Sequence, residues 1–158
     1  MGSTMLAVIS FGRFLFAVLF IVSGAFKLLD LTATSELMAK IAIPEFLTSY
    51  TTELETMAGM PMAKMLAIAA GATELLCGVM IGLNVGARYF ALLLILYMVG
   101  MTYLQHPFWN QTGPEGANTL LHALKNISLI GALFIIVGIG RGPQPAAAAA
   151  AEPSFAEE

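Results

Sequence analysis

Apolar positions in this chain neither alternate nor recur as narrow stripes; they run together. Residues 6–29, 62–83, 86–105 and 118–140 form four stretches, each near the ~20 residues that a helix needs to cross a hydrocarbon core. The pattern predicts an all-α protein, a bundle of four transmembrane helices. The first stretch could pass for a signal peptide with "SGA" as the cleavage site. It has no positively charged leader, however, and Arg13 sits inside its apolar region, so a retained helix is expected.

The connections differ in kind. "GLNVGAR" leaves almost nothing between the second and third runs and predicts a tight helical hairpin. Residues 30–61 form a long acidic loop holding Asp30, Glu36, Glu45, Glu53 and Glu55 against Lys40. Within it, "ELMAKIAIPEFLTSYTTELETM" mixes apolar and polar residues at helical intervals, which predicts short helices lying at the membrane surface. Pro44 suits the first turn of one such helix, and Thr52 with Glu55 has the spacing of a capping box. The third connection, "HPFWNQTGPEGAN", places His106, Phe108 and Trp109 at a span end, where aromatic rings mark the headgroup level. Residues 142–158 change composition sharply to alanine, proline and acid, the composition of a flexible tail.

Composition agrees with a membrane domain and excludes several functions. The 158 residues are 58% hydrophobic and 11% charged, against about 25% charged in ordinary soluble domains. The lipid bilayer is therefore the expected surrounding. A net charge of −3 without any basic stripe leaves no surface for nucleic acid. Cys77 is the one cysteine, so an internal disulfide, a CxxC redox pair and a zinc cage are excluded. Four spans put both termini and the short hairpin loop on one side. Arg13, Arg88 and Arg141 all fall on that side, and Lys27, Lys40, Lys64 and Lys125 on the other. The positive-inside count is nearly tied. The arginines and the acidic loop together place the termini in the cytoplasm of a bacterial inner or plasma membrane.

The spans carry polar side chains that hydrocarbon penalises: Arg13, Lys27, Glu74 and Lys125, with His122 and Asn126 beside them. Such groups face the bundle interior, where they serve either as a structural clamp or as a functional site that holds a polar head or relays protons. At 100° per residue, Arg13, Phe20, Gly24 and Lys27 share one face of the first span, and His122, Lys125, Asn126, Leu129 and Leu133 one face of the fourth. On the second span Ala67, Ala70, Gly71 and Gly78 surround Glu74 with small side chains that permit close packing. Counted along the helices, Glu74 lies ~13 Å and Arg13 ~10 Å from the same end of their spans, which predicts an Arg13–Glu74 ion pair. Lys27, near its span end, is expected to snorkel outward. Lys125 and Asn126 are expected to face a polar seam shared with Glu74 and with the Arg13 and Lys27 face.

His106 and His122 stand near one surface on different spans, as bis-histidine haem ligation would need. One ends a span before Pro107 and the other lies a turn inside, so haem is not expected. No metal is expected either, because no acid or thiol accompanies the histidines at a ligand spacing.

Four segments in order resemble the DoxX-like family of small membrane proteins. They are "GRFLFAVLFIVSGAFKL", "ATELLCGVMIGLNVGARYFALLL", "HPFW" and "LKNISLIGAL", and the resemblance covers about residues 8 to 140. The residues in register are Arg13, Gly24, Lys27, Glu74, Gly78, Gly82, Arg88, Lys125, Asn126 and Gly131. The acidic loop is longer than the family's, and the tail lies outside its pattern. The resemblance implies a four-helix membrane bundle and a link to quinone-coupled redox complexes, without catalytic residues to carry over. The first functional reading is a small accessory or anchoring subunit that joins other membrane-complex subunits and is not catalytic alone. The second is a quinone-binding subunit of a thiosulfate:quinone-type oxidoreductase, quinone being the one cofactor the resemblance brings in. The third is a small transporter, which would need oligomerisation because no inverted repeat is visible.

Overall fold

A computed structural model describes residues 3–41, 43, 45–105 and 108–140. Pro44, His106 and the 142–158 tail lie outside the described residues. The described chain contains helices α1 (Ser3–Leu29), α2 (Leu31–Met38), α3 (Thr48–Ala58), α4 (Met62–Gly82), α5 (Ala87–Gln105) and α6 (Gly113–Ile139), with single 3-10 turns at Glu45–Leu47 and Phe108–Asn110. Four of them, α1, α4, α5 and α6, are long and apolar enough to cross a membrane. The acidic loop holds the two short helices α2 and α3.

The first and second spans approach more closely than ordinary side chains would allow. A Cβ at Gly24 would lie 2.5 Å from Leu75 N and 2.7 Å from Gly71 O, and one at Gly78 would lie 2.9 Å from Ile21 N. Gly24 thus sets α1 directly on the α4 backbone, and the small face read from the sequence is the packing surface. Ala17, Phe20, Cys77 and Ile81 bury there, joined by Ala91, Leu94 and Met98 of α5 and Leu133 of α6. The outward apolar side chains stay exposed, as a lipid solvent requires: Phe11 is 64% exposed and Leu96 71%.

The spans are not packed into a closed ring. Among the described residues α1 packs on α4, α4 on α5 and α5 on α6, while α1 and α6 hardly touch. The bundle therefore has one open edge, between its first and last helices.

The short helices are tied to the spans by polar contacts. The Asp30 carboxylate caps α2 by accepting from Ala33 N at 3.0 Å, and Met38 buries beside Ala67 and Ala70 of α4. The expected Thr52–Glu55 capping box does not form. Thr52 lies inside α3, where its hydroxyl donates to Thr48 O at 2.9 Å. Glu55 instead accepts from Met62 N at 2.6 Å and so caps the start of α4. That spacing motif placed the helix start five residues too late, because Leu47, not Thr52, precedes the first helical residue. The last span starts earlier than its apolar run. Pro114 occupies the first turn and Glu115 sits near the positive end of the helix dipole, which favours initiation at Gly113.

The hairpin between α4 and α5 relies on two left-handed residues, Asn84 (φ 59°) and Gly86 (φ 57°). A Cβ at Gly86 would meet the Phe90 and Tyr89 rings, at an ordinary 3.5 and 3.8 Å. Gly86→Ala is therefore expected to cost about 1 kcal/mol through backbone strain alone. Thermal unfolding in detergent should show a modestly lower midpoint, with the helix content of the folded protein unchanged.

Candidate functional site

The close α1–α4 contact fixes which polar groups meet. Ala17 packs at the level of Gly78 and Gly82, Ile21 against Gly78, and Gly24 against Gly71 and Leu75. This register brings Lys27 beside Glu74. The Lys27 ammonium donates to Glu74 Oε2 at 2.7 Å and to Ser23 Oγ at 2.6 Å. Tyr97 of α5 donates its hydroxyl to the other carboxylate oxygen, Oε1, also at 2.7 Å. Glu74 is only 7% exposed, so its charge is balanced by Lys27 and both of its oxygens accept hydrogen bonds. In low dielectric, one buried carboxylate with a cation on one oxygen and a phenol on the other is a connected network.

The expected Arg13–Glu74 pair is thereby overturned, and so is the expectation that Lys27 snorkels away. Arg13 lies a turn before Ala17, which already packs at the end of α4, so it falls beyond Glu74's reach. Depth counting failed because it assumed that the spans start level. The glycine contacts instead shift α1 along α4, so that α4 begins beyond the end of α1 and is accompanied there by α2.

The cluster opens into a cavity of about 230 Å³ at the end of the bundle away from Ser3 and Gly140. Lys27, Glu74 and Tyr97 form its floor, Gln105, His122, Lys125 and Asn126 bring further polar groups, and Leu19, Phe20, Met98, Met101 and Leu129 form apolar walls. Asn126 is held by donating Nδ2 to Thr102 Oγ1 at 3.0 Å. Gln105 reaches the Met38 sulfur at 3.6 Å, which joins α2 to the rim. Lys125 and His122 stand exposed at the mouth, on the α6 side of the open α1–α6 edge. Counting Lys27 and Lys125 against Glu74, and His122 as neutral, the lining carries one net positive charge.

Of the residues singled out in the sequence, Lys27, Glu74, His122, Lys125 and Asn126 line this one cavity, and Arg13 does not. Arg13 lies in a second groove, described below. Trp109 stacks on Tyr103 with ring centroids 5.3 Å apart, and Phe108 belongs to the same 3-10 turn. Sequence reasoning missed Tyr97, Ser23, Thr102 and Gln105. A signal is present for two of them: Tyr97, Met101 and Gln105 recur every four residues and so share one face of α5. Among the described residues, no three His, Cys, Asp or Glu side chains gather as metal ligands would.

The geometry can hold a polar head inside apolar walls. It offers donors at the mouth, a carboxylate at the floor, and lateral access from lipid along the open edge. Comparison with known proteins adds the following. The family model for DoxX matches residues 8–107. The inner membrane protein YphA of Escherichia coli (strain K12) is 26% identical over 130 residues, covering 82% of this chain and 81% of that one. No solved structure matches the chain.

Proposed function

The chain belongs to the DoxX family of membrane proteins, and on that premise we propose that it is a small inner-membrane subunit of a redox complex that holds a quinone head group. The observation that carries the reading is the roughly 230 Å³ cavity with hydrogen-bond donors at its mouth and the Lys27–Glu74–Tyr97 network at its floor. A quinone ring is flat, apolar on its faces and presents carbonyl acceptors at its edges. Lys125, Asn126 and His122 supply donors for such carbonyls, and Phe20, Met98 and Leu129 supply the apolar walls. Glu74 can accept a proton from a bound quinol, and Lys27 and Tyr97 hold the carboxylate in place to do so. The ligand is confined to the bilayer, so it enters sideways through the α1–α6 edge.

Location and orientation belong to the same proposal. The E. coli relative's name places that protein in the inner membrane, and four apolar helices suit the same bacterial location. Arg13 and Arg88 at the terminal end agree with termini in the cytoplasm, which puts the cavity in the opposite leaflet.

The test is the quinone content of purified protein. Native protein extracted in mild detergent should retain quinone close to one per chain. Lys125→Met should lower that retention about tenfold, since a hydrogen bond to a charged donor contributes about 1.5–3 kcal/mol. Its thermal midpoint should not fall, because Lys125 has no hydrogen-bond or ion-pair partner among the described residues. Equal quinone in the native and Lys125→Met proteins, or none in either, rules the reading out.

A purely anchoring subunit is the second reading. It draws on α3 and the turn before it, where Phe46, Tyr50 and Met57 are 74%, 64% and 85% exposed outside the spans. Copurification of a larger membrane assembly, lost when those three side chains become Ser, would favour it.

A further inference from the structure

The open α1–α6 edge holds a second concavity, at the bundle end where the described chain starts and stops. It encloses about 250 Å³ and is lined by Ile9, Gly12, Arg13 and Phe16 of α1, by Ala132, Ile135, Ile136 and Ile139 of α6, and by Gly140. Every lining side chain except Arg13 is apolar. Arg13 is partly buried, and its Nε is a buried donor with no hydrogen-bond partner among the described residues. A buried, unsatisfied guanidinium nitrogen at an opening that faces lipid is costly unless something supplied by the membrane accepts its hydrogen bonds.

The position narrows the chemistry. Arg13 lies ~21 Å along α1 from Lys27, level with the last turn of α6. Arg88 meets that same turn from α5, donating its Nε to Val137 O at 3.0 Å. Two arginines therefore flank the end of α6, and among the described residues no acidic side chain lines the groove. A guanidinium matches the oxygens of a phosphate in a two-pronged, charge-assisted contact. The ammonium of a zwitterionic head group would find no carboxylate among the lining residues. The walls of Ile9, Phe16, Ile135 and Ile139 suit an acyl chain. Basic pockets between spans are known resting places for anionic lipid head groups.

We propose that the α1–α6 groove around Arg13 is a binding site for an anionic phospholipid, with its phosphate on the Arg13 guanidinium and an acyl chain along the apolar groove. The site is separate from the quinone cavity and independent of that reading. The lipid fills part of the open edge between α1 and α6.

The full-length protein can be placed in nanodiscs of phosphatidylcholine with one part in five phosphatidylglycerol, released into detergent, and weighed by native mass spectrometry. Phosphatidylglycerol should remain bound in preference to phosphatidylcholine. Arg13→Gln should cut the retained fraction about tenfold, the effect of losing a charge-assisted contact, and Arg13→Lys should restore part of it. Gly12→Leu supplies a variant that leaves the arginine in place. A Cβ at Gly12 meets nothing within 4 Å, and leucine is a better helix former than glycine, so it should fold normally and fill the groove. It too should release the lipid. Retention that survives Gly12→Leu, retention that survives Arg13→Gln in a folded protein, or equal retention of both lipids overturns the proposal. So does a native protein whose groove holds no phosphatidylglycerol, whether it stands empty or is filled by the acidic tail.

Discussion

Glu74→Gln should be the most damaging conservative change in the chain, lowering stability by about 3 kcal/mol. The substitution keeps the size of the side chain and leaves an oxygen that can still accept from Tyr97. What it removes is the negative charge opposite the Lys27 ammonium, 2.7 Å away. An amide nitrogen turned towards Lys27 would set donor against donor. An amide oxygen turned there would leave the lysine without a counter-ion in a low-dielectric interior. Neutral polar contacts between membrane helices average only ~0.6 kcal/mol, so a loss several times larger distinguishes a charge pair from an ordinary hydrogen bond. The cycle closes with Lys27→Met. Combined with Glu74→Gln it removes both charges, and the double variant should regain much of the stability that either single change loses. Thermal or denaturant unfolding in detergent checks the cycle. Independent, additive single effects would mean that the two charges do not pair.

Gly24→Ala should cost nearly as much for a different reason. The added methyl would sit 2.5 Å from Leu75 N and 2.7 Å from Gly71 O, both backbone atoms that no side-chain rotation can clear. Ordinary carbon contacts lie near ~3.5–4.0 Å, so the helices must separate by about 1 Å at this point. Overpacking of this kind costs about 1–3 kcal/mol. It also displaces Lys27, one turn away on the same face, from the carboxylate it holds. The prediction is therefore double: a lower unfolding midpoint, and a loss of bound quinone larger than the stability change accounts for. Gly138→Ala is the control. A Cβ there meets nothing within 4 Å, and alanine favours helix over glycine by about 1 kcal/mol, so that variant should be neutral or more stable. A Gly24→Ala protein as stable as the control would show that α1 and α4 do not touch at Gly24.

The spans were legible in the sequence because a bilayer imposes length and apolarity on each helix separately. The small-residue face around Glu74 was legible for a similar reason, since Ala67, Gly71 and Gly78 announce close packing by themselves. Pairings are a property of two helices and their relative shift, and nothing local encodes that shift. Arg13 and Glu74 matched in counted depth, yet a helix displaced along its neighbour exchanged one cation for another. Tyr97 and Ser23 were missed because neutral polar side chains in an apolar run attract no notice until a charge is found beside them. Lys125, Asn126 and His122 could be placed on one face of α6, but only the folded chain shows a cavity there and an open edge leading to it.

The open edge also bears on the order in which the molecule is made. A chain that leaves the ribosome from its first residue presents α1, then α4, then α5, and only then α6. Among the described residues, the hydrogen-bond and ion-pair partners that hold Glu74 lie at or before Tyr97. The first span docks on the second, and its grip there owes nothing to the last. Newly inserted chain can thus settle its most hazardous buried charge before synthesis of the final span is complete. The last helix arrives to find a finished three-helix platform, adds the donors at the cavity mouth, and needs only α5 to dock.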